Sequence, residues 1–407
     1  MRKIRKWREY CSKSHIKLKD GIAQSNAVFS YRTNLFFYLC ELIKFVQDQS
    51  MLAELHYPQK SLNGEELDEY LERGWFRMGQ SIFTTNFLKL NGLLFSAIWL
   101  RIDLSTFKPS KTQQKLQKLN ANFKVEIKPS IALTPEHLIL FNKYKNHVPF
   151  DAAPSLTHLL YDDKFSNVFD SYEVNIYDKQ KLIACGVFDL GKDASTGITC
   201  FYDPDYQKHS LGKYLMFLKI DFSKRQGMRY FYPGYFAPDY PMFDYKLDLA
   251  KPFLEFLDLS TNLWKPFEEY VYEEIPLLEM TQKLKELSAC LTKRNFTHTV
   301  LKYEYFDAEL SPTMNGTGTF DFPVFILCFE RDKSISNPLI VYDVISRQYH
   351  LVVCDVTYQL NNETIKPDCY NENLLQMTQH LFATESAEAM ALVISRSLQK
   401  TVGEVNS

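Results

Sequence analysis

Residues 199–246 read TCFYDPDYQKHSLGKYLMFLKIDFSKRQGMRYFYPGYFAPDYPMFDYK. A short apolar run ends in Phe201-Tyr202-Asp203-Pro204, a polar loop follows, and Ser210-Leu211-Gly212 opens a helix that stops at Gly227. The aromatic strand Tyr230-Phe231-Tyr232 then leads into Pro233-Gly234-Tyr235. The order is strand, loop, helix, strand, with small residues where the helix begins. The first helical N–H groups have no intrahelical partner and carry the positive end of the helix dipole. Such a turn suits an anionic group, and phosphate-bearing cosubstrates dock on turns of this kind.

Working outward, the segments 172–177 and 182–190 read as strands joined through Asp178-Lys179-Gln180, and 197–201 as the next strand of an antiparallel meander. Further upstream, Ser61-Leu62-Asn63-Gly64 opens a helix that runs to Arg73 and is stopped by Gly74. Residues 75–87 and 93–104 read as strands, 106–118 as a helix and 123–127 as a strand. Thr134-Pro135 starts another helix, and 155–160 is helical. Downstream, 253–290 reads as helical or irregular. From 300 to 359 the pattern is mostly β, with strands at 324–329, 338–344 and 349–356. Helices near 370–382 and 385–399 close the chain. The expected organisation is a basic extension (1–50) with a new start at Met51, an N-terminal α+β domain (51–128), a central domain (129–275) and a C-terminal α+β extension (300–407).

The 407 residues carry a net charge of −2, with 45% hydrophobic and 24% charged residues. The whole protein is therefore not a polyanion binder, and any nucleic-acid contact needs a local basic patch. The eight cysteines are scattered singly, with no C-x-x-C pair and no Cys/His spacing of a zinc site. Buried, reduced thiols and no metal are expected. The apolar run 34–46 is interrupted by Glu41 and Lys44 and is too short to span a bilayer. No signal-peptide pattern follows the basic N-terminus, so a cytoplasmic protein without a membrane partner is expected.

Three constellations carry candidate chemistry. The loop Gln207-Lys208-His209-Ser210-Leu211-Gly212-Lys213 looks like a relaxed form of the acyl-CoA pyrophosphate loop of N-acetyltransferases, with Ser210 where the first glycine stands. Backbone N–H groups do the phosphate work there, so small residues suffice. Lys111, Lys115 and Lys118 fall at i, i+4 and i+7, on one helical face with no acidic residue between Lys108 and Lys124. A one-sided lysine stripe fits a phosphodiester backbone, and it also fits an ordinary solvated face. The aromatic set Tyr230, Phe231, Tyr232, Tyr235, Tyr240, Phe243 and Tyr245 can stack a nucleobase, though the alternation is also that of a packed strand. Asp189, Asp203, Asp239 and Asp244 are the nearby carboxylates, and Asp203 before Pro204 also reads as a turn residue.

Gly186-Val187-Phe188-Asp189, Phe201-Tyr202-Asp203-Pro204, Ser210-Leu211-Gly212-Lys213-Tyr214, Tyr232-Pro233-Gly234-Tyr235 and Met242-x-x-Tyr245-Lys246 follow one another in a fixed order. That order resembles the C-terminal pattern of arginyl- and leucyl-tRNA–protein transferases. Upstream, Gly74-Trp75-Phe76-Arg77-Met78-Gly79 resembles the family's glycine–arginine turn, and Phe107-x-x-Ser110-Lys111-x-Gln113-x-Lys115 its F-x-x-S-K/R-x-Q-R/K segment. The resemblance covers about 51–250. Where the family carries a cysteine cluster before the arginine matched by Arg101, this chain has Phe95-Ser96-Ala97-Ile98-Trp99-Leu100. An iron–sulfur or zinc site of that kind is not implied.

The resemblance implies an α+β, acetyltransferase-like (GNAT-like) mixed sheet with flanking helices. The implied activity is transfer of arginine or leucine from aminoacyl-tRNA, the cosubstrate, to the N-terminal α-amine of acceptor proteins, marking them for degradation. No other cofactor is implied. Asp189, Tyr202, Asp203, Tyr232 and Tyr235 are the expected catalytic residues. Arg77, Arg101, Lys111, Gln113, Lys115, Lys118, Gln207, Ser210, Leu211, Gly212, Lys213, Gly234 and Lys246 are the expected tRNA- and substrate-binding residues. An acyl-CoA-dependent N-acyltransferase, or a non-catalytic tRNA- or protein-binding relative, would use the same loop.

Overall fold

Residues 52–130, 132–149, 152–163, 167–328, 336–360 and 367–405 are described by a computed structural model. The expected extension 1–50 and the start at Met51 lie outside them. Strand β1 (Ala53–His56) precedes helix α1 (Gly64–Glu72), and β2 (Phe76–Met78) and β3 (Ser81–Thr85) follow it; the three strands form an antiparallel sheet in the order β1-β3-β2. Asn63 caps α1, accepting from the Glu66 N–H while the Glu66 carboxylate accepts from the Asn63 N–H. The sequence reads 75–87 as one strand, but the chain reverses at Gly79, whose φ of +60° a side chain would resist. Strands β4 (Phe87–Leu90) and β5 (Leu93–Ser96) form a hairpin through Asn91-Gly92, both at positive φ. The stretch 93–104 therefore breaks after β5 and resumes as β6 (Ile98–Asp103).

Helix α2 (Lys111–Leu119) begins five residues later than the sequence suggests. Pro109 precedes it, and Ser110 caps it by accepting from the Gln113 N–H. Next come β7 (Lys124–Pro129), α3 (Pro135–Lys145), α4 (Leu156–Tyr161), β8 (Ser171–Asp178), β9 (Lys181–Leu190), β10 (Ala194–Tyr202), α5 (Leu211–Arg225) and β11 (Tyr230–Phe236). Two strands, β12 (Leu254–Asp258) and β13 (Leu263–Pro266), lie where helix or irregular chain is expected. They complete an eight-stranded sheet of order β13-β12-β6-β11-β10-β9-β8-β7. Strands β6 and β7 come from the segment assigned to 51–128 and the others from 129–275, so one sheet crosses that boundary.

Of the eight strands, only β10 and β11 pair in parallel. Helix α5 supplies the crossover that a parallel pair requires. Its buried positions run almost all round, from Leu211 and Tyr214 to Ile220 and Ser223, because it lies on the sheet against Val174, Ile176 and Phe188. Leu140, Phe141, Leu156 and Leu160 of α3 and α4 pack with Val187 and Phe201. Adjacent strand residues point to opposite faces, so Val187 and Phe188 mark a sheet covered on both sides. This is an α+β mixed sheet with flanking helices, as expected. Gly227, at φ +80°, ends α5 where the sequence places its stop.

The C-terminal region holds α6 (Pro276–Lys293), β14 (Thr299–Tyr303), β15 (Val324–Leu327), β16 (Ser336–Asp343), β17 (Gln348–Gln359), β18 (Cys369–Tyr370), β19 (Asn373–Thr384) and α7 (Ala387–Val405). Its sheet order is β18-β14-β15-β16-β17-β19. Met280, Leu284, Leu287 and Leu291 make one apolar face of α6 and pack into this core with Met390 and Ile394 of α7. The helix expected near 370–382 is instead the strand β19. Leu, Gln and Met there favour a helix locally, but ladder pairing along β17 from Tyr349↔Thr384 to Gln359↔Asn373 overrides that preference. Phe329, expected as the end of a strand, lies outside the described residues. The six described cysteines are free thiols, and no helix among the described residues is long and apolar enough to cross a membrane.

Candidate active site

The parallel ladder between β10 and β11 is short. It joins Ala194, Ser195 and Thr196 to Tyr230, Phe231 and Tyr232, after which the strands run on to Tyr202 and Phe236 without further pairing to each other, each still paired with its outer neighbour. The register of β10 against β9 slips between Gly197 and Thr199, and that of β11 against β6 between Phe231 and Gly234. Bulges bend the strand that holds them. The two strands therefore part, and the loop that opens α5 follows directly from the parted end of β10.

Asp203 anchors that loop. Its Oδ1 accepts from Lys143 Nζ at 2.5 Å and from the Asp205 N–H at 3.1 Å, and its Oδ2 accepts from Lys181 Nζ at 2.7 Å. Burial alone would raise this carboxyl, but the two ammonium groups outweigh it and hold it at about 2. Asp203 thus holds the loop, as its turn position before Pro204 suggests. Because its folded value lies below its ordinary 3.8, the stabilisation is present above pH 4 and is lost as pH falls towards 2. Asp203→Asn is expected to cost roughly 2 kcal/mol at pH 6 and about half of that at pH 3, read by urea unfolding at both values. An equal difference at the two values would contradict the assignment.

Ser210 sits at φ +49° between a 3-10 turn (Pro204–His209) and α5, and its side chain makes no capping bond. The N–H groups of Leu211, Gly212 and Lys213 begin α5. The Leu211 side chain is buried in the core, while Gln207, Lys208 and Lys213 are exposed. A Cβ on Gly212 would come within 3.2 Å of the Tyr202 ring, so glycine keeps this wall close. Tyr202 stacks at a tilt on Tyr144, 5.2 Å between ring centres.

Helix α2 is fastened to the same loop. The Asn120 amide, fully buried at its end, donates to the carbonyl of His209 at 3.1 Å, and Phe123 packs on the His209 ring at 4.9 Å. Lys111, Lys115 and Lys118 are exposed, and none forms an ion pair among the described residues. The lysine face and the loop, about ninety residues apart in sequence, are thereby brought together. Gln113 is not on that face: it is buried, donating to the Leu249 carbonyl at 2.6 Å. It holds the helix in place.

Both arginines expected to bind tRNA are internally paired. Arg77 donates to Asp189 Oδ1 and Ser171 Oγ, each at 2.9 Å, to the Gly79 carbonyl at 2.8 Å, and to the Leu160 carbonyl. Its guanidinium lies 4.5 Å over Phe169. Asp189 is fully buried, and burial raises its carboxyl. It therefore secures the Gly79 turn to the sheet and is closed to a substrate. Arg101 donates to Glu255 at 2.5 Å and to Glu72 at 2.7 Å, between the rings of Tyr230 and Trp264. Tyr232 is also buried, its hydroxyl on Glu72 at 3.2 Å, and burial pushes its pKa up. Arg101, Glu72, Glu255 and Tyr232 form a packed polar cluster.

Tyr235, Gly234 and Lys246 lie at the parted end of β11. Gly234 has φ +85°, and a Cβ there would have Lys246 Nζ as its near neighbour, at 3.4 Å. Lys246 Nζ donates to the Tyr235 carbonyl at 2.5 Å and lies 4.8 Å from the Phe243 ring. Burial brings its amine down to about 7. Sequence reasoning missed Lys219, fully buried in α5, whose ammonium donates to the Val187 and Thr199 carbonyls at 2.9 and 2.7 Å and to Cys200 Sγ at 3.3 Å. It stitches the bulged part of β10 to β9, and Gly186 leaves room for it. A lone lysine inside the apolar run 215–220 was the signal available.

The site is thus a mixed sheet parted at its parallel pair beside the start of a crossover helix. Residues 136–254 match the family description "Arginine-tRNA-protein transferase, C terminus". The chain is 30% identical over 211 residues to the aspartate/glutamate leucyltransferase of Campylobacter jejuni subsp. jejuni serotype O:23/36, covering 50% of this chain and 85% of that protein. It is 28% identical over 201 residues to the protein of that name from Leptospira interrogans, covering 48% and 76%. It is 27% identical over 230 residues to the one from Saccharophagus degradans, covering 55% and 92%. The chain belongs to the family of aminoacyl-tRNA–protein transferases. Among solved structures, a tandem GNAT protein from the clavulanic acid pathway aligns at a TM-score of 0.29 and 10% identity, over 48% of this chain and 58% of its own, too slight a likeness to bear on the fold.

Proposed function

We propose that this protein carries leucine from leucyl-tRNA to the α-amine of proteins whose first residue is aspartate or glutamate. The observation that supports this most is the match over 85% of an aspartate/glutamate leucyltransferase. The lysine face of α2 tied to the loop that opens α5 agrees with it. In this reading Lys111, Lys115 and Lys118 grip the acceptor stem, while the N–H groups of 211–213, with Gln207, Ser210 and Lys213, meet its terminal phosphates. Tyr202 and the backbone around Gly234 line the ester between the parted strands.

The reaction is aminolysis. The nitrogen lone pair of the acceptor's α-amine attacks the ester carbonyl, a C–N bond forms, and the C–O bond to the terminal ribose breaks. The ribose hydroxyl leaves with the proton that the amine gives up. A free α-amine titrates near ~8, so enough is neutral at physiological pH without a strong base. Positioning and stabilisation of the developing oxyanion carry the acceleration. Charged tRNA as cosubstrate sets the reaction in the cytoplasm.

A pool of labelled aminoacyl-tRNAs, offered with peptides of different first residues, tests the reading. Leucine is expected to pass from tRNA to peptides beginning with Asp or Glu. Transfer of arginine would change the donor and keep the class. Transfer from acetyl-CoA alone, or tRNA binding without transfer, would overturn the proposal.

A further inference from the structure

Four cations among the described residues are buried: Arg77, Arg101, Lys219 and Lys246. A buried charge needs a partner, because leaving water costs it several kcal/mol. Arg77 is matched by Asp189, and Arg101 by Glu72 and Glu255. Lys219 directs its ammonium to two carbonyls and a thiol. Lys246 has the Tyr235 carbonyl and two ring faces, and no carboxylate among the described residues lies within ion-pair distance of it. Its ammonium can donate three hydrogen bonds.

The place where that unused capacity points is defined by Gly234. A side chain there would fill space whose near wall is Lys246 Nζ at 3.4 Å, with no other heavy atom beyond the neighbouring residues within 4 Å. The absence of a side chain leaves a notch with a buried amine at its edge. The notch lies on the part of β11 that no longer pairs with β10, on the strand segment assigned above to the ester.

We propose that Lys246, reached through the notch at Gly234, receives the side-chain carboxylate of the acceptor's first residue and so selects acidic N-termini. The assignment rests on the proposed transferase reading, in which that residue must lie beside the ester. A carboxylate completes the pairing that Arg77 and Arg101 already have. The amine at about 7 is what burial without an anionic partner produces, and a bound carboxylate favours its charged form. A neutral amide of similar shape brings no compensating charge. A charge-assisted hydrogen bond of this type discriminates by roughly ten- to a hundred-fold.

The test uses the full chain and its Lys246→Met variant, with fluorescent peptides that differ only in beginning with Asp, Asn, Glu or Gln. Binding is read by anisotropy, and leucine transfer by kcat and KM. The wild type is expected to bind the Asp and Glu peptides at least tenfold more tightly than their amides. In Lys246→Met that preference falls to within about twofold, through weaker binding of the acidic peptides, while the amides bind as before. Gly234→Ala narrows the notch and also strains a backbone at φ +85°, so thermal unfolding is measured beside it; a folded variant is expected to weaken the acidic peptides in the same way with Lys246 intact. Retained preference in Lys246→Met overturns the assignment. So does an equal fall in kcat for all four peptides, which would make Lys246 a proton-transfer group. If the wild type binds acidic peptides through Lys246 but transfers nothing, the selection stands and the transferase reading falls.

Discussion

Replacing Arg77 by Ala is expected to lower stability by about 3–5 kcal/mol, because it strands a buried carboxylate. Asp189 is fully buried, its Oδ1 takes bonds from Arg77 and Ser171, and its Oδ2 already has no partner. With Arg77 gone, the carboxyl must ionise unpaired or take up a proton. The carbonyls of Gly79 and Leu160 lose a donor as well, and Phe169 loses the guanidinium that covers it. Urea unfolding checks the size of the loss. The double change Arg77→Met with Asp189→Leu should recover most of it, since removing both charges removes the penalty. A single-variant loss below about 1 kcal/mol would show that the pair lies in a wetter place than its geometry indicates.

The second large effect concerns binding. Changing Lys111, Lys115 and Lys118 together to Glu is expected to weaken tRNA binding by at least tenfold at moderate salt. It should also flatten the dependence of log K on log salt by about two to three units, roughly one for each phosphate that a lysine no longer neutralises. Folding should be nearly untouched, because all three side chains are exposed and none pairs with a described carboxylate. Filter binding across a salt series reads both quantities, with thermal unfolding as the control. An unchanged salt slope would leave the lysine face as ordinary solvated surface. Gln113, inside the same motif, should behave in the opposite way. Its buried amide supports Leu249, so Gln113→Ala is expected to lower stability and leave the salt slope alone.

Much of the site was legible in the chain because it depends on local periodicity. The lysine stripe shows at i, i+4 and i+7, and the start and stop of α5 show in Ser210, Gly212 and Gly227. What could not be read was how charged residues are used. Arg77 and Asp189 are 112 positions apart, and Arg101 and Glu255 are 154 apart, so nothing near either arginine signals that it is already paired. The partners of Asp203 are hidden for the same reason: Lys143 comes to it from α3 and Lys181 from β9. The β19 segment failed differently. Its local preference is helical, and only the ladder with β17 makes it a strand.

By itself the sequence determined the order of strand, loop and helix around residues 199–246, the lysine face of α2 and the family pattern, because turn chemistry, capping and helical spacing are local. Tertiary structure alone decided that β10 and β11 pair in parallel for three residues and then part, because strand register is set by long-range hydrogen bonding. It alone joined α2 to the loop of α5 through Asn120 and His209. Tertiary structure also separated Arg77 and Arg101, matched by carboxylates, from Lys219, held by two carbonyls and a thiol, and from Lys246, which has one carbonyl and no carboxylate among the described residues, because burial and pairing are properties of the folded molecule.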